Sequence, residues 1–231
     1  MNDFIISVTL SSFFLLDSTY VGQFLLSQPV IMIPILSCFT RDTATALKTA
    51  VNLELVYLGR LAVGASIPPF AGFGAAVFWS SYLLLKEPSV TALVILFFLA
   101  MGAAYWGRTL EIAIRKMNEP ITRWSFYSYA KTGNRLCYYR GGALSLLATF
   151  LLYGINITGL SFAASQITTG ILVLIPDVMA KYSTALEFFW NTLPIIAVLF
   201  LLDRFMEKGR SRFFYYGALG GLLGGIMSWI L

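Results

Sequence analysis

The chain has 231 residues, of which 58% are hydrophobic and only 12% charged, with a mean hydropathy of +0.78; soluble domains carry about a quarter charged residues. This balance excludes a sizeable soluble domain and marks an integral membrane protein, with room for about six to eight spans at roughly 20 apolar residues each. The net charge of +5 reports topology, through the side on which Lys and Arg sit, and not a nucleic-acid partner. The absence of His removes the commonest metal ligand, the usual general base and the usual phosphoryl-relay nucleophile. Cys38 and Cys137 suit neither a disulfide framework nor a metal cluster. No catalytic residue, metal or cofactor is expected on this chain.

The predicted fold is an all-α integral membrane protein: one polytopic domain over residues 1–231, a multi-spanning helical bundle with broken or re-entrant helices. The first apolar segment, Phe4–Leu16, lacks the positive flank and cleavage site of a secretory signal and is expected to stay attached. It runs into "LDSTYVGQFLLSQP". Asp17, Ser18 and Thr19 are capping residues, so Asp17 reads either as a cap for the next helix or as part of a polar site. Gln23 is an uncharged donor and acceptor suited to a hydroxylated solute.

Segments at Val21–Phe39 and Thr43–Leu58 follow, punctuated by Pro29 and Pro34. The second carries Glu54 at membrane depth, where an ionisable group is costly and normally faces the bundle interior or a watery cavity. Glu54 either pairs with Arg60 or Lys48, or hydrogen-bonds a polar solute. Lys48 and Glu54 do not share a helix face, so a pair within one straight helix is disfavoured. Gly59, Gly64 and Pro68-Pro69 predict that the helix breaks soon afterwards, exposing backbone groups near the carboxylate. Sugars are recognised by such mixtures of carboxylate, amide and backbone, and broken helices at membrane depth point to a transporter.

After Pro69–Leu85 and Val90–Trp106 comes a basic stretch, about residues 107–140, with Arg108, Arg115, Lys116, Arg123, Lys131, Arg135 and Arg140. It is expected to be cytoplasmic, with helix supported by a Glu111–Arg115 pair and ending before Pro120. A solvated connector, an interfacial helix on anionic lipid and a docking surface for soluble partners all remain open. A second basic cluster, Arg204, Lys208, Arg210 and Arg212, is also expected to be cytoplasmic. The stretch between them must then cross an even number of times. Of Gly142–Leu160, Ile167–Met179 and Ala185–Leu202, the short Ile167–Met179 is therefore expected not to cross. The last segment, Phe213–Leu231, crosses once and leaves the C-terminus outside, its glycines Gly217, Gly220, Gly221, Gly224 and Gly225 allowing close helix approach.

The order of these features carries a resemblance. An apolar helix ending in Leu16-Asp17, then Gln23, "SQPVI", Asp42, "LELVYLGRLAVGASIPP" and the late "FFYYGALGGLLGG" resembles the membrane subunit IIC of the mannose/fructose/sorbose family of the bacterial sugar phosphotransferase system. The resemblance implies a permease subunit in the bacterial inner (cytoplasmic) membrane that passes a hexose-type sugar and forms an oligomeric complex with subunit IID. Soluble IIA and IIB would carry the phosphohistidines, which fits a chain without His. It assigns a sugar-contact role to Glu54, with Gln23 and Asp17 in the family's first polar turn, and places Arg60 and Ala62 where members vary in polarity. Two features depart from the family pattern. Arg41 precedes Asp42 where glycine is favoured, and Ala46, Lys48 and Thr49 stand where glycine-rich spacing is expected, which opposes close backbone approach. The alternative function is a non-transporting scaffold or sensor that keeps the fold and binds a soluble regulator through its basic segment.

Overall fold

The computed structural model describes residues 1–18, 20, 22, 24–40, 42–58, 68–86 and 88–205. Gln23, Arg60 and the terminal segment Phe213–Leu231 with its glycines lie outside the described residues, as do Lys208, Arg210 and Arg212. Every regular element described is helical: α1 (Asn2–Leu15), a short 3-10 turn η1 (Leu16–Ser18), α2 (Pro29–Thr40), α3 (Thr43–Leu58), α4 (Ala71–Tyr82), α5 (Val90–Thr132), α6 (Arg135–Leu174) and α7 (Pro176–Phe205).

α4 is the central helix. Each residue from Gly72 to Tyr82 is buried, including Phe73, Phe78 and Trp79, as befits a helix that is apolar all round. Its 12 residues reach only about 18 Å, short of the roughly 30 Å hydrocarbon core. α2 has the same length. These are the broken helices that the prolines and glycines imply. Where α4 begins, the Phe70 N–H donates to the Ala104 carbonyl of α5 at 2.9 Å, so this amide of its freed end is satisfied by protein.

Small residues set the spacing of the bundle. A Cβ on Gly74 would lie 2.6 Å from the Ala100 carbonyl, and one on Gly107 would lie 2.7 Å from the Phe73 side chain, so α4 and α5 approach as closely as glycine allows. α1 buries Ser7, Ser11 and Ser12 on one face; the hydroxyls of Ser7 and Ser80 of α4 are 3.0 Å apart. Phe78 of α4 stacks on Trp190 of α7.

α5 and α6, with 43 and 40 residues, extend about 64 and 60 Å and pair along their length through Trp106–Asn156, Asn118–Thr149 and Ser125–Cys137. The reversal between them is local chemistry. Gly133 takes φ 65 at the end of α5 and Asn134 accepts the Leu136 N–H to start α6, the glycine and asparagine caps of a helix–helix turn.

Four expectations about segment boundaries change. The basic helix does not end before Pro120: α5 runs through it, because packing of Asn118 and Ser125 against α6 offsets the roughly 3 kcal/mol cost of an interior proline. Ile167–Met179 is not a separate short segment. Ile167 to Leu174 complete α6, and Pro176 opens α7 after Ile175, which leaves helical geometry at φ −133 and ψ 54, since a following proline disfavours the helical region. Two long helices thus lie between the basic stretches. Val21–Phe39 keeps only its later part as helix, the chain turning before Pro29 starts α2. Lastly, Pro69–Leu85 shortens to the twelve residues of α4.

Candidate functional site

α1 ends in the 3-10 turn that presents Asp17, which is only 2% exposed. Asp17 does not cap a helix. Its Oδ1 accepts the Phe24 N–H at 2.8 Å and its Oδ2 accepts the Leu26 N–H at 2.9 Å, so a buried carboxylate is satisfied by two backbone donors of the following turn. Between those amides Leu25 adopts φ 66, the one positive φ at a non-glycine among the described residues. The Leu25 carbonyl in turn accepts the Gln28 N–H at 3.0 Å.

Glu54 reaches the same stretch from α3. Its Oε2 accepts the Val30 N–H at 3.2 Å, one of the unsatisfied amides in the first turn of α2, where a carboxylate also complements the helix dipole. Glu54 is half-buried. A carboxylate offers about four acceptor positions, so one bond among the described residues leaves capacity for hydroxyl donors. α4 closes the third side: a Cβ on Gly72 would lie 2.1 Å from the Ser27 carbonyl, and Ser27 is buried. The stretch from Phe24 to Val30 is thereby held by η1, α3 and α4.

Of the four residues singled out in the sequence, the structure brings Asp17 and Glu54 onto one segment, while Gln23 and Arg60 lie outside the described residues. Lys48 does not pair with Glu54; its Nζ donates to the Asn191 side-chain oxygen of α7, beside the Asn52 amide that donates to the Trp190 carbonyl at 3.3 Å. Asp42 caps α3 by accepting the Thr45 N–H at 3.3 Å and also accepts the Tyr82 hydroxyl from the end of α4. Tyr82, Asn191 and the Val30 amide carry no signal in the sequence, since each acquires its partner only across helices.

An open groove of about 1100 Å³ lies along the α5–α6 hairpin where η1 meets it, with Ser18, Tyr20, Asn118, Arg123, Tyr138 and Ser145 in its lining. Asn118 donates to Tyr20 and, at 3.1 Å, to Thr149, and the Thr149 hydroxyl lies 3.2 Å from that of Tyr20. The hairpin carries the pairs Glu111–Arg115 at 2.6 Å and Glu119–Arg123 at 2.5 Å, of which Arg115, Glu119 and Arg123 also line the groove. Trp124, Tyr127 and Tyr139 are exposed along it.

An all-helical bundle with short, broken helices among long apolar ones defines an integral membrane protein of the helical-bundle class. Two solved structures share the fold. One, described as that of a membrane protein, has a TM-score of 0.63 at 19% identity; the other, the mannose transporter ManYZ in complex with microcin E492, has a TM-score of 0.55 at 18% identity. Each alignment covers 99% of this chain and 92% of the other. No curated protein matches the chain in sequence. The family model for the sorbose-specific IIC component of the phosphotransferase system matches residues 4–220, and the chain belongs to that family. It is a membrane permease component of phosphotransferase sugar transport.

Proposed function

We propose that this chain is the sugar-translocating subunit of a mannose-family phosphotransferase complex. It binds a hexose-type sugar and passes it to the cytoplasmic side, where partner subunits phosphorylate it. Glu54 and Gln23 hold sugar hydroxyls, Asp17 supports them, and Arg60 tunes what is admitted. The chain is one multi-pass domain of the bacterial inner membrane and works in an oligomer with subunit IID, supplied with phosphate by IIA and IIB. Its basic stretch around residues 107–140 is cytoplasmic. The observation that carries this reading is the convergence of the Asp17 and Glu54 carboxylates on the segment from Phe24 to Val30. The test is uptake of labelled hexose by membranes holding this chain and its IID partner, which Glu54→Gln should suppress while membrane insertion stays intact.

A second reading, a non-transporting scaffold for a soluble regulator, is favoured by the exposed aromatic and basic side chains of the α5–α6 hairpin. Absence of uptake for a whole panel of hexoses and amino sugars, with IID present, would select it.

A further inference from the structure

We infer that Asp17 is a positioning residue: it clamps a strained turn, and it acts on the sugar through that turn and not by touching it. This rests on the proposed reading of the segment as part of the sugar path. A leucine in the left-handed region is a genuine outlier, since its Cβ crowds the carbonyl that follows. Such a residue persists only where its surroundings over-determine it. Here they do. The amides on either side of Leu25 donate to the two oxygens of one carboxylate at 2.8 and 2.9 Å, and the Leu25 carbonyl is taken by the Gln28 N–H. Two residues further on, Ser27 is pressed against Gly72, so the turn has no room to relax toward α4. Asp17 is itself buried, which fits a clamp better than a solute contact. Glu54, half-buried with one backbone bond among the described residues, keeps the exposure a contact needs.

The clamp makes a prediction that a contact does not. If Asp17 serves to hold Leu25 at positive φ, a residue at home in that region should make the carboxylate dispensable. Asp17→Asn keeps one side-chain oxygen and turns an NH2 group toward the second amide, so it loses one of the two bonds. Leu25→Gly removes the steric conflict, and Leu25→Asn does so with less added freedom, because asparagine tolerates this region.

The experiment compares Asp17→Asn, Leu25→Gly, Leu25→Asn and the two double variants in membranes with IID. It reads the concentration dependence of hexose uptake and, on the purified chain without sugar, amide hydrogen exchange at Phe24 and Leu26. In Asp17→Asn, exchange at these amides should rise about ten-fold or more and the KM for hexose should rise with it. In both double variants KM should return to within about three-fold of the value of the matching single Leu25 variant. Unchanged exchange in Asp17→Asn overturns the clamp. So does restored exchange in the double variants with KM still raised, which would make Asp17 a sugar contact. If Asp17→Asn fails to accumulate, accumulation of the double variants supports the clamp and their failure overturns it. Absence of hexose uptake by the wild type would remove the proposed function but leave the exchange result to decide the clamp.

Discussion

Asp17 and Glu54 hold one short stretch of chain from two different helical elements: Asp17 accepts the Phe24 and Leu26 amides, and Glu54 accepts the Val30 amide. Each carboxylate would be costly at membrane depth without donors. The backbone of a turn that has left helical geometry needs acceptors. Each solves the other's problem, and the result is a non-helical segment held by its backbone, with Ser27 buried against the bundle while Phe24 and Leu25 stay exposed.

Glu54→Gln tests whether the remaining acceptor capacity meets sugar. Glutamine retains an oxygen for the Val30 N–H, so the contact between α3 and α2 survives and the protein should insert normally. Hydrogen bonds to a charged group contribute about 1.5–3 kcal/mol, so hexose uptake should fall roughly ten- to a hundred-fold. Initial rates with labelled sugar measure this, and uptake at the wild-type rate would remove Glu54 from the site.

Gly72→Ala should be among the most damaging single-methyl changes in the molecule, because its Cβ would sit 2.1 Å from a backbone carbonyl that cannot rotate away. Overpacking of this kind costs typically 1–3 kcal/mol and sometimes more. Gly102→Ala, on α5 with nothing within 4 Å, should be neutral or stabilise by up to about 1 kcal/mol. Thermal unfolding of both variants in detergent gives the comparison; equal midpoints would contradict the close approach of α4 to Ser27.

The hairpin root depends on a three-way polar contact. Tyr20→Phe and Asn118→Ala should each destabilise by about 1 kcal/mol, and the double variant should lose less than the sum, with a coupling of about 0.5 kcal/mol or more. Denaturation of the four proteins completes the cycle. Strict additivity would separate Tyr20 from Asn118.

The proposed orientation places the tip of the hairpin in the cytoplasm. With Cys38 and Cys137 replaced by serine, Lys131→Cys should react with a membrane-impermeant thiol reagent only when the cytoplasmic face is exposed. Reaction in intact cells would invert the topology.

The residues themselves determined the class and the polar cast. Composition alone identified a membrane protein; the prolines and glycines implied broken helices; Asp17 and Glu54 stood out because a charge in an apolar run is rare and expensive. The Glu111–Arg115 pair followed from spacing on one helix face. These features are local, or are sums over composition, and no partner has to be known to see them. The tertiary structure decided the rest. Whether α5 stops at Pro120 depends on α6 lying alongside, and a proline costs the same in sequence whether or not a neighbouring helix offsets it. That Asp17 takes backbone amides instead of capping a helix, and that Lys48 goes to Asn191 instead of Glu54, depends on which helices pack together. The periodicity of one segment fixes only the face it presents; the partner on that face comes from another part of the chain, brought there by burial of surfaces that spacing does not describe.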